Sequence, residues 1–223
     1  MKKILVPMLV VMVSLMNPGN INAQISDNQD NQATEDEGYI KTLMYHGVED
    51  YDEWKELFDD SYDIRTQAGE MSYEVGTLYD DPGTAYIINE WYTIEHFKVH
   101  LSKIMNNNVG AIESPNAFIL NKFESSPLFN SEVTTFMYHE VENFNTWMAA
   151  YDEVYEMRMD AGELSYEIGN FYDEPNIAYV LNEWVSLDDF HNFLQNSELR
   201  TKMEQGGVLE DPVVLILNVR EKR

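Results

Sequence analysis

The chain has 223 residues, forty acidic against fourteen basic, for a formal charge of −26 at neutral pH. So negative a surface repels phosphate backbones and anionic lipid, which argues against nucleic acid or a membrane surface as partner. A hydrophobic fraction of 44% with 13% aromatics is enough for a filled globular core, and the absence of cysteine excludes disulfides, thiolate metal sites and cysteine nucleophiles.

Residues 1–23 read as a secretory signal peptide. Lys2 and Lys3 precede an apolar run from Ile4 to Met16, too short to span a bilayer; Pro18 and Gly19 break it, and Ala23 offers a cleavage site before Gln24. No cysteine follows the run, so a lipoprotein anchor is excluded. The expectation is a periplasmic or secreted protein with no membrane contact after cleavage, which would carry a charge of −28 once Lys2 and Lys3 are gone. Residues 24–38 are polar and acidic and are predicted to be a disordered leader.

Residues 39–124 form the first of two repeats. Tyr39 to Val48 is dense in β-formers and predicts a strand. Asp50 then stands where a helix N-cap belongs, with Glu53 three residues on. Tyr51, Trp54, Phe58, Tyr62 and Arg65 follow at helical spacing, giving an aromatic face that ends in an arginine before Gly69 stops the helix. Ala68 to Trp91 shows alternation (Met71, Tyr73, Val75 against Ser72, Glu74, Gly76), an Asp80-Asp81-Pro82 turn and a second apolar run, which predicts two adjacent antiparallel strands. Thr93 opens a second helix carrying Phe97 and Leu101, and Ala117 to Phe123 predicts a last strand.

Residues 125–131 are a linker, and 132–223 repeat the order. Ala161 to Trp184 matches Ala68 to Trp91 at 15 of 24 positions, and Ile40 to Leu101 matches Val133 to Leu194 at 27 of 62 without a gap. Register changes only after the second helix, where the second copy is four residues longer. A period this long makes each copy one supersecondary unit. A β-α-β-β-α-β unit gives a four-stranded antiparallel sheet with both helices on one face, leaving the other apolar and uncovered. Leu43 and Tyr45 on one face of the first strand, and Met44 and His46 on the other, fit a sheet covered on both sides. The fold class is therefore α+β: two ferredoxin-like repeats whose sheets pack face to face as one barrel inside a single chain, a monomer with an internal pseudo-dimer.

At Trp54, Arg65, Ala68-Gly69, Ser72-Tyr73, Asp80-Asp81-Pro82 and Glu90-Trp91, with their counterparts from Trp147 to Trp184, each half resembles the dimeric α+β barrel superfamily. The likeness is to its antibiotic biosynthesis monooxygenase-like and cyclase-like groups. It covers roughly Tyr39 to Arg220 and implies a barrel of two ferredoxin-like units; the scaffold hosts oxygenases, cyclases, isomerases, lyases and proteins with no known chemistry. Members of the monooxygenase-like group often carry a Glu-Trp pair followed nine residues later by His-Leu. Trp91 with His100-Leu101 has that spacing; Trp184 with Phe193-Leu194 does not. The resemblance implies that Asn89, Trp91 and His100 line an aromatic-binding cavity in the first half.

Each candidate has a bland reading beside the functional one. His46 and His139 fall at equivalent strand positions, as core histidines or as proton carriers and ligands. Arg65 and Arg158 lie on aromatic helix faces and need buried carboxylates, for which Glu74 or Glu90 (Glu167 or Glu183) are expected. Asn89 and Asn182, amides inside apolar strands, require partners or a ligand. Trp54 and Trp147 read as core anchors. His100, replaced by Phe193 in the other copy, is the strongest catalytic candidate, with His46 and Asn89 behind it. Trp91, Tyr73, Tyr45 and Arg65, and in the second copy Trp184, Asn182, His139 and Arg158, are candidate substrate contacts. Metal ligation by His46, His100 and an acid has no supporting ligand spacing, and no dinucleotide or phosphate-loop motif occurs, so no cofactor is expected.

The function these residues predict is that of an exported pocket protein for a small organic or aromatic molecule. Its enzymatic form is a cofactor-independent monooxygenase-, cyclase- or isomerase-like catalyst. The alternatives are a non-catalytic ligand-binding or interaction barrel, or polysaccharide lyase-like chemistry on Tyr45, His46 and Arg65.

Overall fold

The computed structural model describes residues 39–107, 114–127, 129 and 131–223, so the segments expected to be a signal peptide and an acidic leader fall outside the described residues. The first repeat runs β1 (Ile40–Gly47), α1 (Tyr51–Asp60), α2 (Tyr62–Gln67), β2 (Glu70–Leu78), β3 (Thr84–Trp91), α3 (Ile94–Asn107) and β4 (Asn116–Ser125). The second runs β5 (Val133–Glu140), α4 (Phe144–Glu153), α5 (Tyr155–Asp160), β6 (Glu163–Phe171), β7 (Ile177–Trp184), α6 (Leu187–Leu194), α7 (Ser197–Gln205) and β8 (Val213–Lys222).

Capping fixes where the helices begin. The Asp50 carboxylate accepts from the backbone N–H groups of Asp52 and Glu53, and Asn143 accepts from Thr146 in the second copy. The helix expected to run unbroken through Arg65 is divided at Ser61, whose hydroxyl donates to the Phe58 carbonyl at 2.7 Å. Such back-bonding bends the chain. The bend lets Trp54 and Phe58 stack at 5.5 Å while α2 turns Arg65 back toward the sheet.

Pairing is antiparallel throughout and closes an eight-stranded barrel in the order β1-β3-β2-β8-β5-β7-β6-β4. The two sheets do more than face each other: they join edge to edge, β2 to β8 and β4 to β6. Closure removes the sheet edges that a lone repeat would expose. Both seams need glycine. A Cβ at Gly76 would stand 2.1 Å from the Asn218 carbonyl oxygen, and one at Gly169 would stand 2.1 Å from that of Asn121.

Period-2 alternation then sorts the side chains into two layers. Leu43, Tyr86, Leu120, Phe136, Phe171, Tyr179 and Leu217 fill the barrel. Met44, Val75, Ile87 and Trp91 face the helices of the first repeat, as Ile168, Val180 and Trp184 do in the second. Trp91 and Trp184 are fully buried. At 150–250 Å² each and about 25 cal/mol per Å², such an anchor contributes roughly 4–6 kcal/mol of gross transfer free energy.

Candidate functional site

The helix-facing layer holds most of the candidates. Along β3 the alternation puts Asn89 and Trp91 under the helices, and along β7 it does the same for Asn182 and Trp184. His46 lies edge-on to Trp54 at 5.6 Å, and His139 to Trp147 at 5.7 Å. Tyr73 is on this layer too, its ring against Phe58 and its hydroxyl donating to Glu221. Tyr45 is not: it points into the barrel, where its hydroxyl lies 3.4 Å from that of Tyr138. Successive strand residues face opposite sides, so Tyr45 and His46 cannot meet one substrate group, and the lyase-like arrangement is not assembled.

The buried arginines have partners other than those expected. Arg65 Nε donates to Glu70 at 2.8 Å and Arg158 Nη1 to Glu163 at 2.8 Å. Alternation from Ser72 or Ser165 would send Glu70 and Glu163 into the barrel. A β-bulge at Met71, and its copy at Leu164, inserts one residue and turns both carboxylates under the helices. Glu74 and Glu167 stay in the barrel layer as acceptors for Tyr86 and Tyr179, and Glu90 and Glu183 are taken by Ser72 and Ser165. The Asn89 amide donates to Glu70, and that of Asn182 to Glu163, so each half holds an Arg-Glu-Asn triad.

The second triad borders a cavity of about 60 Å³ between sheet and helices. Its floor is His139 on β5 with Asn182 and Trp184 on β7. Trp147 and Tyr151 on α4 and Arg158 on α5 form a wall, and Phe193 on α6 with Leu199 and Met203 on α7 form the roof. The family resemblance implied a cavity in the first half; this one is in the second. Its roof depends on α7, which lies in the stretch where the second copy is four residues longer. The corresponding part of the first repeat runs from the end of α3 into 108–113, outside the described residues.

Three residues that line this cavity carry buried polar atoms with no hydrogen-bond partner among the described residues: both ring nitrogens of His139, Nε of Arg158 and Oδ1 of Asn182. Burial pushes the His139 pKa down to about 4, so the ring is neutral at pH 7, with one N–H donor and one acceptor. Burial pushes the Glu163 carboxyl up to about 7, against the opposing pull of Arg158, Asn182 and Tyr151. Tyr151 OH lies 3.4 Å from Glu163, and the Arg158 guanidinium stacks 3.5 Å from the Tyr151 ring centre. In the first repeat Phe58 takes the place of Tyr151 and cannot make that hydrogen bond.

His100 packs at 5.0 Å against Trp91, with its Nδ1 unpartnered among the described residues. Burial first, then Arg65 and Lys103, lower its pKa to about 4, away from the neutral range expected of a proton carrier. Arg65 Nη2 and Asn89 Oδ1 also have no partner among the described residues. No three metal-ligating side chains gather among the described residues.

Sequence reasoning named His139, Arg158, Asn182 and Trp184, all of which converge here. It missed Glu163, Tyr151 and the α7 residues. A signal for α7 exists: Asn196 precedes Ser197-Glu198-Leu199 and caps the Glu198 N–H at 2.8 Å, and Gly206-Gly207 closes the segment.

No protein-family model matches the chain, and no curated protein sequence matches it. Solved structures do. An anthrone oxidase-like protein superposes with TM-score 0.62 at 12% identity, over 84% of this chain and 94% of its own. A monooxygenase candidate from Fusobacterium nucleatum subsp. nucleatum ATCC 25586 gives 0.58 at 14% identity, over 82% and 93%. Another, from Lactobacillus acidophilus NCFM, gives 0.56 at 15%, over 83% and 96%. The chain has the dimeric α+β barrel fold, with both ferredoxin-like units in one polypeptide. At such identities the likeness establishes the fold and leaves the chemistry to the site.

Proposed function

We propose that this chain is a small-molecule pocket protein whose ligand sits in the second-repeat cavity. One observation carries the reading: a cavity walled by aromatic rings, whose lining residues His139, Arg158 and Asn182 carry buried polar atoms unpartnered among the described residues. An unpaired buried donor or acceptor costs roughly 1–3 kcal/mol, which a ligand's polar group would recover on binding.

A second reading, turnover of that ligand, is favoured by Glu163. A carboxyl held near neutral beside a cavity can give and take a proton under working conditions, as a general acid–base catalyst requires. The fold's neighbours described as monooxygenase candidates or as oxidase-like support an enzymatic reading without naming a substrate for this chain. His100, His46 and Asn89 remain the first-repeat candidates for the same chemistry. We also propose that the mature protein is exported and monomeric and binds neither nucleic acid nor membrane, on the strength of residues 1–23, the internal repeat and the acidic composition.

The test is a thermal-shift screen of small organic compounds against the full mature chain and its Val180→Phe variant. Val180 borders the cavity, and a phenyl ring there fills it. Compounds that raise the wild-type Tm should lose their effect in the variant. Hits that act equally on both would place the ligand elsewhere and refute the proposal.

A further inference from the structure

The two Arg-Glu-Asn triads are held differently, and the difference comes from two positions at which the repeats diverge. Arg65 is fixed from several sides: Nε donates to Glu70 at 2.8 Å, and Nη1 donates to the Phe58 carbonyl and, at 2.7 Å, to the Ser61 hydroxyl. In the second repeat Val154 stands at the place of Ser61, and Tyr151 at that of Phe58. The Arg158 side chain donates to Glu163 alone among the described residues, its guanidinium resting 3.5 Å from the Tyr151 ring centre.

What the second triad has instead is the Tyr151 hydroxyl. It lies 3.4 Å from Glu163 Oε1 and 3.4 Å from Asn182 Nδ2, so it donates to the carboxylate while accepting from the amide. Asn182 also donates to Oε1, and Arg158 donates to Oε2 at 2.8 Å. Glu163 therefore has three donors where Glu70 has two, Arg65 and Asn89. The terminal torsion of a glutamate is broad, and each donor narrows it. Burial holds the Tyr151 phenol well above its usual pKa, so the hydroxyl keeps its proton and stays a donor. The other titratable groups around the triad make no bond to the carboxyl among the described residues. His139 on β5 is neutral at pH 7, Lys202 on α7 is paired to Glu153, and the Tyr166 ring on β6 lies 4.8 Å from the Arg158 guanidinium.

Resting on the reading of Glu163 as the acid–base group of this cavity, we infer that Tyr151 is its positioning residue: the hydroxyl holds the ionised carboxylate by Oε1 in one orientation and favours that form over the protonated one, a control that the first repeat lacks. The experiment follows the ¹³C carboxyl signal of Glu163 through a pH titration of the full mature chain labelled with ¹³C-glutamate, the signal being assigned with Glu163→Gln. Tyr151→Phe installs the residue that the first repeat carries at this position. It should raise the midpoint by about 0.4–1 pH unit, roughly a two- to tenfold change in proton affinity, as the loss of one net hydrogen bond requires. Tyr155→Phe, which alters an exposed tyrosine on α5 with its ring 5.7 Å from the same guanidinium, should leave the midpoint in place. If Tyr151→Phe does not fold, uniform 3-fluorotyrosine labelling decides, because the more acidic phenol is a stronger donor and the midpoint should fall. A midpoint unmoved or lowered in Tyr151→Phe, an equal rise in Tyr155→Phe, or, in the labelled protein, no fall overturns the inference. Compounds blocked by Val180→Phe together with an unmoved midpoint overturn it and leave the cavity as the binding site. The expected rise with no compound sensitive to Val180→Phe supports the hold of Tyr151 on Glu163 and overturns the cavity reading alone.

Discussion

Replacing Arg158 by alanine removes the one ion-pair partner that Glu163, whose side chain is fully buried, has among the described residues. Breaking a buried pair from one side costs about 3–5 kcal/mol, because the remaining charge is stranded. The loss should depend on pH, and the sign follows from Glu163. Its folded-state pKa is raised from 4.5 to about 7, so the folded protein holds this proton more tightly than the unfolded chain does. The group's contribution to stability is thus fully present below about pH 4.5 and is lost as pH rises through 7, a span of about 3 kcal/mol at 1.36 kcal/mol per unit. Without Arg158, which lowers that pKa, the window extends upward. Near pH 5.5 the variant's carboxyl is protonated, and only the guanidinium's stacking on Tyr151 and its packing are missing, about 1–2 kcal/mol. At pH 8 the full 3–5 kcal/mol should appear. Urea unfolding of wild type and Arg158→Ala at both pH values measures the difference. An equal loss at the two pH values, or a loss under about 0.5 kcal/mol at pH 8, would refute the reasoning.

Other perturbations test separate parts of the account. Gly76→Ala and Gly169→Ala should each cost about 3 kcal/mol or more in denaturant unfolding, because the new methyl meets a backbone carbonyl across a seam that cannot yield. Glu183→Gln should cost about 1.5–3 kcal/mol, since its carboxylate accepts from Phe129 N–H, Ser131 N–H and the Ser165 hydroxyl and so ties the linker to the second sheet. Glu90→Gln, whose carboxylate is held by Ser72 and is half-buried, should cost less in the same assay. His100→Phe should fold and gain about 1 kcal/mol by removing an unpartnered buried nitrogen, whereas a loss above 2 kcal/mol would mean that Nδ1 has a partner. If turnover is found and His100 carries it, the same variant should lose about 10²–10⁴-fold in rate.

Architecture was legible because it is written twice. The repeated Ala68 to Trp91 stretch and the two-faced first strand imply two units that must cover each other, and barrel closure follows from the need to bury Leu43 and Phe136. The arginines were legible as buried cations, but not their partners. A bulge at Met71 or Leu164 leaves no mark in the hydrophobic pattern, yet it reverses the face of the glutamate before it. Four second-repeat candidates were found by residue type and symmetry. The cavity itself was not, because it arises from how α7 and Phe193 roof the sheet, a packing outcome that periodicity does not encode. Ser61 illustrates the same limit on a smaller scale, since a continuous helical spacing concealed a bend made by one hydroxyl.

The chain's four tryptophans allow one spectrum to test where the ligand sits. Trp54 on α1 and Trp91 on β3 pack between the helices and sheet of the first repeat, and Trp147 and Trp184 line the second-repeat cavity. A ¹H–¹⁵N spectrum assigned by single Trp→Phe variants shows all four indole N–H groups, with Trp91 and Trp184 held in matching bonds to Thr42 and Thr135 at 3.2 Å. Adding a compound that raises the wild-type Tm should move the Trp147 and Trp184 signals and leave those of Trp54 and Trp91 in place. Shifts confined to Trp54 and Trp91, or equal at all four, would contradict a binding site in the second repeat.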